Sequence, residues 1–243
     1  MNAMIFAAGL GTRLRPLTND KPKALVELNE QTLLQITIEK LQKAGFNHIV
    51  VNVHHFSQLV IDYLKANQNF GADILISDES DALLDTGGGL KKASPLFLDK
   101  EPILIHNVDI VSSINLLELY KTHCNNNVLA TLAIRNRPSS RVLLFDENNL
   151  LRGWKNISTG TSKLPLTTSN PDNLQPYAFS GIHIVNHELL QLISETGKFS
   201  IIDVYLRLSA NHSIMAYQHD ADYWNDVGKH EQLKAAEEYL RKK

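Results

Sequence analysis

The first 23 residues combine residue types that bind phosphate. An apolar stretch, residues 4–8, ends at Gly9 and Gly11, and the cations Arg13 and Lys23 follow. Glycines allow backbone N–H groups to approach an anion closely, and cations neutralise its charge. These residues therefore predict a phosphate-binding loop at the end of a buried strand.

Two common glycine-rich patterns do not fit this loop. A Walker A loop has four residues between its first glycine and its Gly-Lys-Ser/Thr end, whereas one residue separates Gly9 from Gly11. A dinucleotide-binding loop would have a third glycine where this chain has Leu14. The loop therefore indicates another class of phosphate-binding site.

Two aspartates follow apolar or aromatic segments and could bind a metal. Asp109 comes after the apolar stretch 103–107, and Asp226 lies in the segment 223–228. Two carboxylates that meet a triphosphate suit Mg²⁺, which keeps several waters and phosphate oxygens in its coordination shell. The alternative for either residue is a turn or a helix cap, and Asp226 lies close to a predicted helix start.

A second glycine cluster, Gly87 to Gly89, precedes a predicted helix. One glycine would be enough for a helix cap, whereas three permit a flat or anionic ligand to approach closely. We therefore expect Gly87 and Gly88 to contact a ligand at the N-terminus of this helix.

These residues must be positioned by alternating strands and helices. The predicted elements of the first half are helices at 32–44, 56–66 and 88–97 and strands at 47–53, 72–77 and 102–108. Crossovers of this length predict an α/β fold with a doubly wound, mostly parallel sheet and helices on both faces. Ligands bind beyond the carboxyl ends of such strands, so the Gly9 loop and the turns at 85–89 and 107–109 should converge on one crevice.

The second half has a different pattern. Its predicted elements are strands at 128–134, 141–146, 150–154, 177–185 and 213–218 and helices at 187–194, 201–210 and 229–241. The stretch 157–175 is rich in Ser, Thr, Asn and Pro and is expected to be a surface loop or a lid. We expect a single domain, 1–243, with a nucleotide-binding core at about 1–125 and a small acceptor-binding β subregion within 126–243.

Several motifs together resemble a known enzyme family. The pattern Ala-Ala-Gly-x-Gly-Thr-Arg-x-x-Pro-Leu-Thr, followed by Lys-Pro-Lys, resembles the opening of the sugar-1-phosphate nucleotidyltransferases, whose Rossmann-like core wraps this loop around a nucleotide triphosphate. The Leu-x-Thr-Gly-Gly-Gly segment, residues 179–182 and Trp-x-Asp-Val-Gly are most similar to the short N-acetylmuramic acid 1-phosphate uridylyltransferases. One departure is Val108, which stands where similar enzymes have a glycine before the aspartate.

The resemblance implies a set of site residues. The residues expected to contact the nucleotide are Ala8, Gly9, Leu10, Gly11, Thr12, Arg13, Gly87 and Gly88. The residues expected to contact the acceptor are Lys23, Asn107, Ser180 and Gly181, and those expected to bind Mg²⁺ are Asp109 and Asp226. Arg13 and Lys23 are the expected catalytic cations: Arg13 stabilises the leaving pyrophosphate, and Lys23 bridges toward the phosphates at the reaction centre.

The implied reaction joins a nucleoside triphosphate to a sugar 1-phosphate and releases pyrophosphate. UTP and an amino-sugar phosphate such as N-acetylmuramic acid 1-phosphate are the substrates that the motifs favour. The alternatives are guanylyl transfer to mannose or heptose 1-phosphate, cytidylyl transfer to phosphocholine, and a catalytically silent nucleotide-sugar sensor. The joint presence of Arg13, Lys23, Asp109 and Asp226 argues against a silent sensor, because a pure binder has little use for both metal carboxylates.

Composition limits the partners and the location. The chain has a formal net charge of -2 and one cysteine, which gives no sign of nucleic-acid binding, an anionic membrane surface or an internal disulfide. We expect a cytoplasmic monomer or homodimer that binds small molecules.

A cationic segment in the second half has two interpretations. Arg135, Arg137 and Arg141 flank a Pro-Ser-Ser turn. They form either a solvated cationic hairpin or a contact for an acidic acceptor, such as the lactyl carboxylate of a muramic acid. The adjacent His54 and His55 are expected to make loop or core hydrogen bonds, because neighbouring strand residues point to opposite sides and cannot share a metal.

Overall fold

The structure is a computed structural model that describes residues 1–165 and 173–242. Among these residues the α-helices are α1 (Leu33–Lys43), α2 (Ser57–Ala66), α3 (Asp85–Ala93), α4 (Leu116–Asn125), α5 (Glu188–Gln191), α6 (Ile201–Leu208) and α7 (His230–Arg241). No helix in the described ranges combines the length and apolar character needed to cross a membrane.

Most strands belong to one large sheet. The strands are β1 (Asn2–Phe6), β2 (Glu27–Leu28), β3 (Gln31–Thr32), β4 (His48–Val53), β5 (Asp73–Asp78), β6 (Ile103–Asn107), β7 (Ile110–Ser112), β8 (Ala130–Arg135), β9 (Arg141–Phe145), β10 (Leu151–Asn156), β11 (Ser162–Lys163), β12 (Gln175–Val185), β13 (Ile214–Gln218) and β14 (Trp224–Asp226). Within the described part of the chain, the large sheet has the order β11-β10-β9-β12-β6-β1-β4-β5, and β8 joins β12 to β13.

The first half forms the parallel core that the sequence predicts. Strand β1 pairs in parallel with both β4 and β6, and β4 pairs in parallel with β5. The chain therefore reverses its direction of winding between β1 and β6, and such a switch point is where ligands bind in a doubly wound sheet. The predicted α/β fold class is confirmed.

The hydrophobic core lies on both faces of this sheet because strand side chains alternate. Ile5 of β1 belongs to the same buried cluster as Ile38 of α1, whereas Met4 packs in the cluster that contains Leu90 of α3. Helices therefore cover both faces of the sheet, as expected for a doubly wound fold.

Local sequence explains where α1 begins and ends. The Thr32 hydroxyl accepts a hydrogen bond from the Gln35 N–H and caps the helix N-terminus. Gly45 follows the last turn with a φ of 91°, a conformation that glycine adopts without strain. The predicted helix at 32–44 is confirmed, and it begins one residue later and ends one residue earlier, at Leu33–Lys43.

The second half extends the sheet with antiparallel strands. Strand β12 runs antiparallel to β6, β8 and β9, so it joins the other strands of the second half directly to the parallel core. The expected loop or lid at 157–175 contains the short strand β11 and the start of β12, and its residues 166–172 lie outside the described ranges. Helix α4 and the short strands β7 and β14 are additions that the sequence patterns do not predict.

Candidate active site

A cavity of about 380 Å³ opens at the switch point between β1 and β6. It is lined by Ala8, Gly9, Lys23, Asn107 and Asp109, among others. These residues come from the ends of two neighbouring parallel strands and from the loop after β1. The expected convergence of the Gly9 loop and the 107–109 turn is therefore observed, and Asp85 and Thr86 of the 85–89 segment also line the cavity. A second cavity, of about 360 Å³ between β9, β10 and α6, contains none of the predicted catalytic or metal-binding residues.

Gly9 and Gly11 are needed in this loop for different structural reasons. A Cβ on Gly9 would have no atom within 4 Å, so this exposed position leaves space for a ligand to approach the backbone. Gly11 has a φ of +61°, and a Cβ there would lie 3.0 Å from the Lys23 Cβ and 3.1 Å from the Thr18 Cγ2. Gly11 therefore lets the loop close onto Lys23, which brings this cation into the cavity.

Asn52 holds the start of the loop, and the sequence analysis missed it. The buried Asn52 Oδ1 accepts hydrogen bonds from the Ala7 and Ala8 N–H groups, at 2.7 and 3.3 Å. Its Nδ2 donates to the buried Glu79 carboxylate at 2.6 Å, which ties β1 to the end of β5. The Ala8 N–H is thus engaged by Asn52, so any nucleotide contact of Ala8 must use another atom. The only sequence signal was an asparagine interrupting an apolar strand.

Lys23 and Asp109 form an ion pair in the cavity wall. The Lys23 Nζ and the Asp109 Oδ2 lie 2.5 Å apart, and their side chains are 8% and 22% exposed. Lys23 begins a short turn after Pro22, and Asp109 follows the end of β6. A predicted catalytic cation and a predicted metal ligand therefore meet directly.

A small antiparallel ribbon brings Asp226 beside Asp109. Strand β14 pairs with β7 so that Asp226 lies opposite Ile110, and the Val227 N–H donates to the Asp109 carbonyl at 2.8 Å. Burial raises the pKa of the Asp226 carboxyl, and the negative charge of Asp109 raises it further. The charges of Lys23, Arg13 and Arg137 act in the opposite direction on this pKa. The predicted pair of carboxylates is therefore adjacent.

The two carboxylates fit a hard divalent cation. The Asp226 Oδ1 is buried and makes no hydrogen bond within the described residues. This oxygen is therefore available to coordinate a metal ion. Residues 1–165 and 173–242 contain no cluster of three or more His, Cys, Asp or Glu side chains arranged as a metal site. Mg²⁺ is commonly held by one or two carboxylates together with substrate phosphates and water. The donor set therefore fits Mg²⁺ that arrives with a nucleotide.

Gly228 allows Arg13 to approach this carboxylate pair. A Cβ on Gly228 would lie 2.9 Å from both the Arg13 Nη2 and the Asp226 Oδ1. Arg13 is exposed and, within the described ranges, forms no ion pair. The loop cation is thus placed next to Asp226 with its charge still available to a phosphate.

The expected glycine turn before α3 is wrong. Helix α3 begins at Asp85, so Gly87 and Gly88 lie inside its first turns and are buried. A Cβ on Gly87 would lie 2.4 Å from the Phe199 ring, and one on Gly88 would lie 2.5 Å from the Gly197 carbonyl oxygen. The Gly87 and Gly88 N–H groups both point to the Phe199 carbonyl, at 3.0 and 3.4 Å. Close packing against the loop before α6 explains these glycines, and their nucleotide contact stays a prediction.

Ser180, Gly181 and Asn107 lie together at a bulge in β12. Gly181 has a φ of +72°, and a Cβ there would lie 2.8 Å from the Asn107 Nδ2, so glycine permits this close approach. Ser180 is buried, and its Oγ is 2.7 Å from the His219 Nε2. The Ser180 hydroxyl is therefore engaged with His219 within the protein, and its contact with the acceptor stays a prediction.

One further lining residue comes from a distant part of the chain. Lys198, in the segment between α5 and α6, is exposed and lines the 380 Å³ cavity together with Thr86. No local pattern around Lys198 distinguishes it from a surface lysine. Only the packing of this segment against α3 brings it to the cavity.

The chain is similar to known nucleotidyltransferases along most of its length. Residues 2–142 match the family model described as "Nucleotidyl transferase". The chain is 32% identical over 98% of its length to the N-acetylmuramate alpha-1-phosphate uridylyltransferase of Caulobacter vibrioides, and it covers 96% of that protein. It is 29% identical over 94% of its length to the mannose-1-phosphate guanyltransferase of Yarrowia lipolytica, and it spans 61% of that longer relative.

A solved structure supports the fold. The crystal structure of UDP-glucose pyrophosphorylase complexed with UDP-glucose superposes with a TM-score of 0.78 at 18% identity, and all of both chains is covered. The sequence match and the shared fold lead to the same conclusion: this chain belongs to the nucleotidyl transferase family and is a nucleotidyltransferase of the sugar-1-phosphate type.

Proposed function

We propose that this protein transfers the uridylyl group of UTP to an amino-sugar 1-phosphate, such as N-acetylmuramic acid 1-phosphate, with Mg²⁺. The observation that carries the proposal is the convergence of Arg13, Lys23 and the carboxylates of Asp109 and Asp226 at the switch point. The choice of uridylyl transfer is supported by the full-length similarity to the uridylyltransferase of Caulobacter vibrioides.

The reaction needs positioning more than proton transfer. An oxygen of the sugar 1-phosphate attacks the α-phosphorus of the nucleotide, a new P–O bond forms, and the α–β phosphoanhydride bond breaks to release pyrophosphate. Because the attacking phosphate is already ionised at neutral pH, no general base is required. The protein must hold two mutually repelling anions in line and neutralise their charge.

Each site residue has a defined task in this proposal. The backbone around Gly9 lets the triphosphate approach, and Arg13 neutralises the pyrophosphate as it leaves. Lys23, oriented by its ion pair with Asp109, contacts the phosphates at the reaction centre. Asp109 and Asp226 would hold Mg²⁺, which when bound stabilises charge on the phosphate oxygens. Asn52 keeps the loop in place through Ala7 and Ala8.

A pyrophosphate-release assay tests the proposal. The purified protein is incubated with Mg²⁺, each of the four common nucleoside triphosphates, and a panel of glucose, mannose, N-acetylglucosamine and N-acetylmuramic acid 1-phosphates. We expect the highest kcat/KM for UTP with N-acetylmuramic acid 1-phosphate. Highest activity with GTP and mannose 1-phosphate would replace the proposed substrates with those of the guanylyltransferase relatives. No turnover with any pair would refute the enzyme proposal.

A further inference from the structure

Arg137 is held against Trp224 at the edge of the candidate site. Its guanidinium carbon lies 4.2 Å from the centroid of the Trp224 ring, and the residue is half-buried. The indole Nε1 of Trp224 donates a hydrogen bond to the Ser180 carbonyl at 2.9 Å, which fixes the ring. Stacking on an aromatic face orients a guanidinium and limits its rotamers. Arg137 is therefore pre-positioned rather than freely solvated, which argues against the simple cationic hairpin.

The residues that the structure describes satisfy the guanidinium of Arg137 only in part. Within the described part of the chain, its Nη1 and Nη2 groups donate to the carbonyls of Pro138 and Phe179, at 3.3 and 3.2 Å, and its Nε is buried without a hydrogen-bond partner. Among the described residues, no carboxylate lies within ion-pair distance of Arg137. A partly desolvated cation in this state gains most from an anionic ligand, because charge-assisted hydrogen bonds are the strong ones.

The position of Arg137 relative to Asp226 indicates which ligand it meets. Arg137 contacts the ring of Trp224, and Trp224 lies two residues before Asp226 on the same short strand, β14. Arg13 approaches Asp226 beside Gly228. Arg13 and Lys23 come from the first half of the chain, whereas Arg137 follows β8 in the second half, where the acceptor-binding subregion is expected. The attacking sugar phosphate also needs a cation, since it must approach a second anion.

We propose that Arg137 binds the phosphate of the acceptor and that Trp224 is its positioning residue. This inference rests on the proposed function. The planar fork of a guanidinium suits the bidentate recognition of phosphate. The lactyl carboxylate of a muramic acid is the competing anion, and acceptors that carry only one of the two groups distinguish them.

Steady-state kinetics provide the first test. Arg137→Gln should raise the acceptor KM by roughly 10- to 100-fold, as expected for a lost charge-assisted hydrogen bond, and leave the nucleotide KM within about twofold. Arg137→Lys should recover part of the loss. Trp224→Leu should raise the same KM by a smaller factor than Arg137→Gln. Trp224→Phe keeps an aromatic face but loses the indole N–H, so it should raise this KM less than Trp224→Leu does. The matched control is Arg241→Gln, an exposed arginine at the end of α7, which should keep wild-type constants. An unchanged acceptor KM in Arg137→Gln would overturn the inference while leaving the proposed reaction intact.

A binding measurement separates this inference from the proposed reaction. Because the chain contains two tryptophans, a Trp154→Phe background leaves Trp224 as the sole indole fluorophore. N-acetylglucosamine 1-phosphate should change Trp224 emission in this background, unphosphorylated N-acetylmuramic acid should not, and Arg137→Gln should abolish the response. A response to the carboxylate alone, or one that persists in Arg137→Gln, would contradict the phosphate assignment. These outcomes do not depend on turnover, so an inactive enzyme would refute only the proposed reaction.

Discussion

Lys23 and Asp109 depend on each other for both charge and position. Replacing one partner of a mostly buried ion pair leaves the charge of the other partner unpaired, which is destabilising, whereas replacing both partners leaves no unpaired charge. Asp109→Asn should therefore remove most activity and also lower the free energy of unfolding by about 1–2 kcal/mol. The predicted metal role of Asp109 accounts for the loss of activity, and its ion pair with Lys23 accounts for the loss of stability.

A double-mutant cycle in urea denaturation measures this coupling. The double variant Lys23→Met/Asp109→Asn should lose less stability than the sum of the two single variants, with a coupling of about 1 kcal/mol or more. The control is Asp203→Asn, because the Lys163–Asp203 pair is 55% and 47% exposed and should contribute little. Additive losses for Lys23 and Asp109 would show that the two side chains are not coupled.

The ionised Asp226 carboxylate is expected to lower the stability of the protein while it supports activity. Burial and the charge of Asp109 raise the pKa of Asp226 in the folded state, so its ionised form is penalised there. The contribution of Asp226 to stability is then greatest below the ordinary pKa of aspartate and falls as the pH rises through the raised value. Asp226→Asn should increase the free energy of unfolding at pH 7.5 without metal, lose this advantage near pH 3, and reduce activity at least about 100-fold.

Thermal melts in a chelator at the two pH values test this. Asp99→Asn, at a position 92% exposed, is the control and should leave the melting temperature unchanged within error. If Asp226→Asn were less stable than the wild type at pH 7.5, the ionised Asp226 carboxylate would not be destabilising.

At the scale of elements, the glycines of α3 act through packing. The segment 195–200 lies so close to α3 that Gly88 has no room for a Cβ beside the Gly197 backbone. Although alanine is the better helix former by about 1 kcal/mol, Gly88→Ala should lower the free energy of unfolding by about 1–3 kcal/mol, because a backbone oxygen cannot move aside easily.

Chemical denaturation together with nucleotide kinetics distinguishes packing from ligand contact. Lys92→Ala, on the exposed side of the same helix, should change the free energy of unfolding by less than about 0.5 kcal/mol. If Gly88→Ala kept wild-type stability and only raised the nucleotide KM, the glycine would serve the ligand, and the packing explanation would fail.

For the whole molecule, two buried histidines predict acid sensitivity. Burial lowers the pKa of His106 and of His183 to about 3 in each case. The folded protein keeps these rings neutral, while the unfolded chain takes up protons below an ordinary pKa of about 6.5. The contribution of these two histidines to stability is thus fully present above pH 6.5 and falls as the pH decreases toward 3, by up to about 1.4 kcal/mol per pH unit for each histidine.

His183 allows a direct test because it lies in the core. It packs against the Tyr205 ring with centroids 5.7 Å apart, and neither ring nitrogen has a partner within the described residues. His183→Phe should reduce the slope of unfolding free energy against pH between 4 and 6.5, measured by urea titrations. The control is His55→Phe at an exposed position, which should retain the wild-type slope. An equal slope in His183→Phe and the wild type would exclude His183 as a source of the acid sensitivity.

The sequence by itself determined the fold class and the phosphate-binding end of the sheet. Alternating patterns of about ten residues defined most strands and helices, and Gly9, Lys23 and Asp109 were identifiable because they follow buried strands or flank a glycine loop. These features depend on local periodicity and on the rule that parallel strands share one carboxyl edge.

Only the tertiary structure decided which residues meet. Asp226 reaches Asp109 through β7 and β14, strands of three residues that are too short to produce a recognisable period. The roles of Gly88 and Arg137 likewise depend on neighbours that are far away in sequence, Gly197 and Trp224. A residue's local pattern reports its own strand or helix, whereas the charge, burial and close packing of this site arise from groups that lie about a hundred residues apart along the chain.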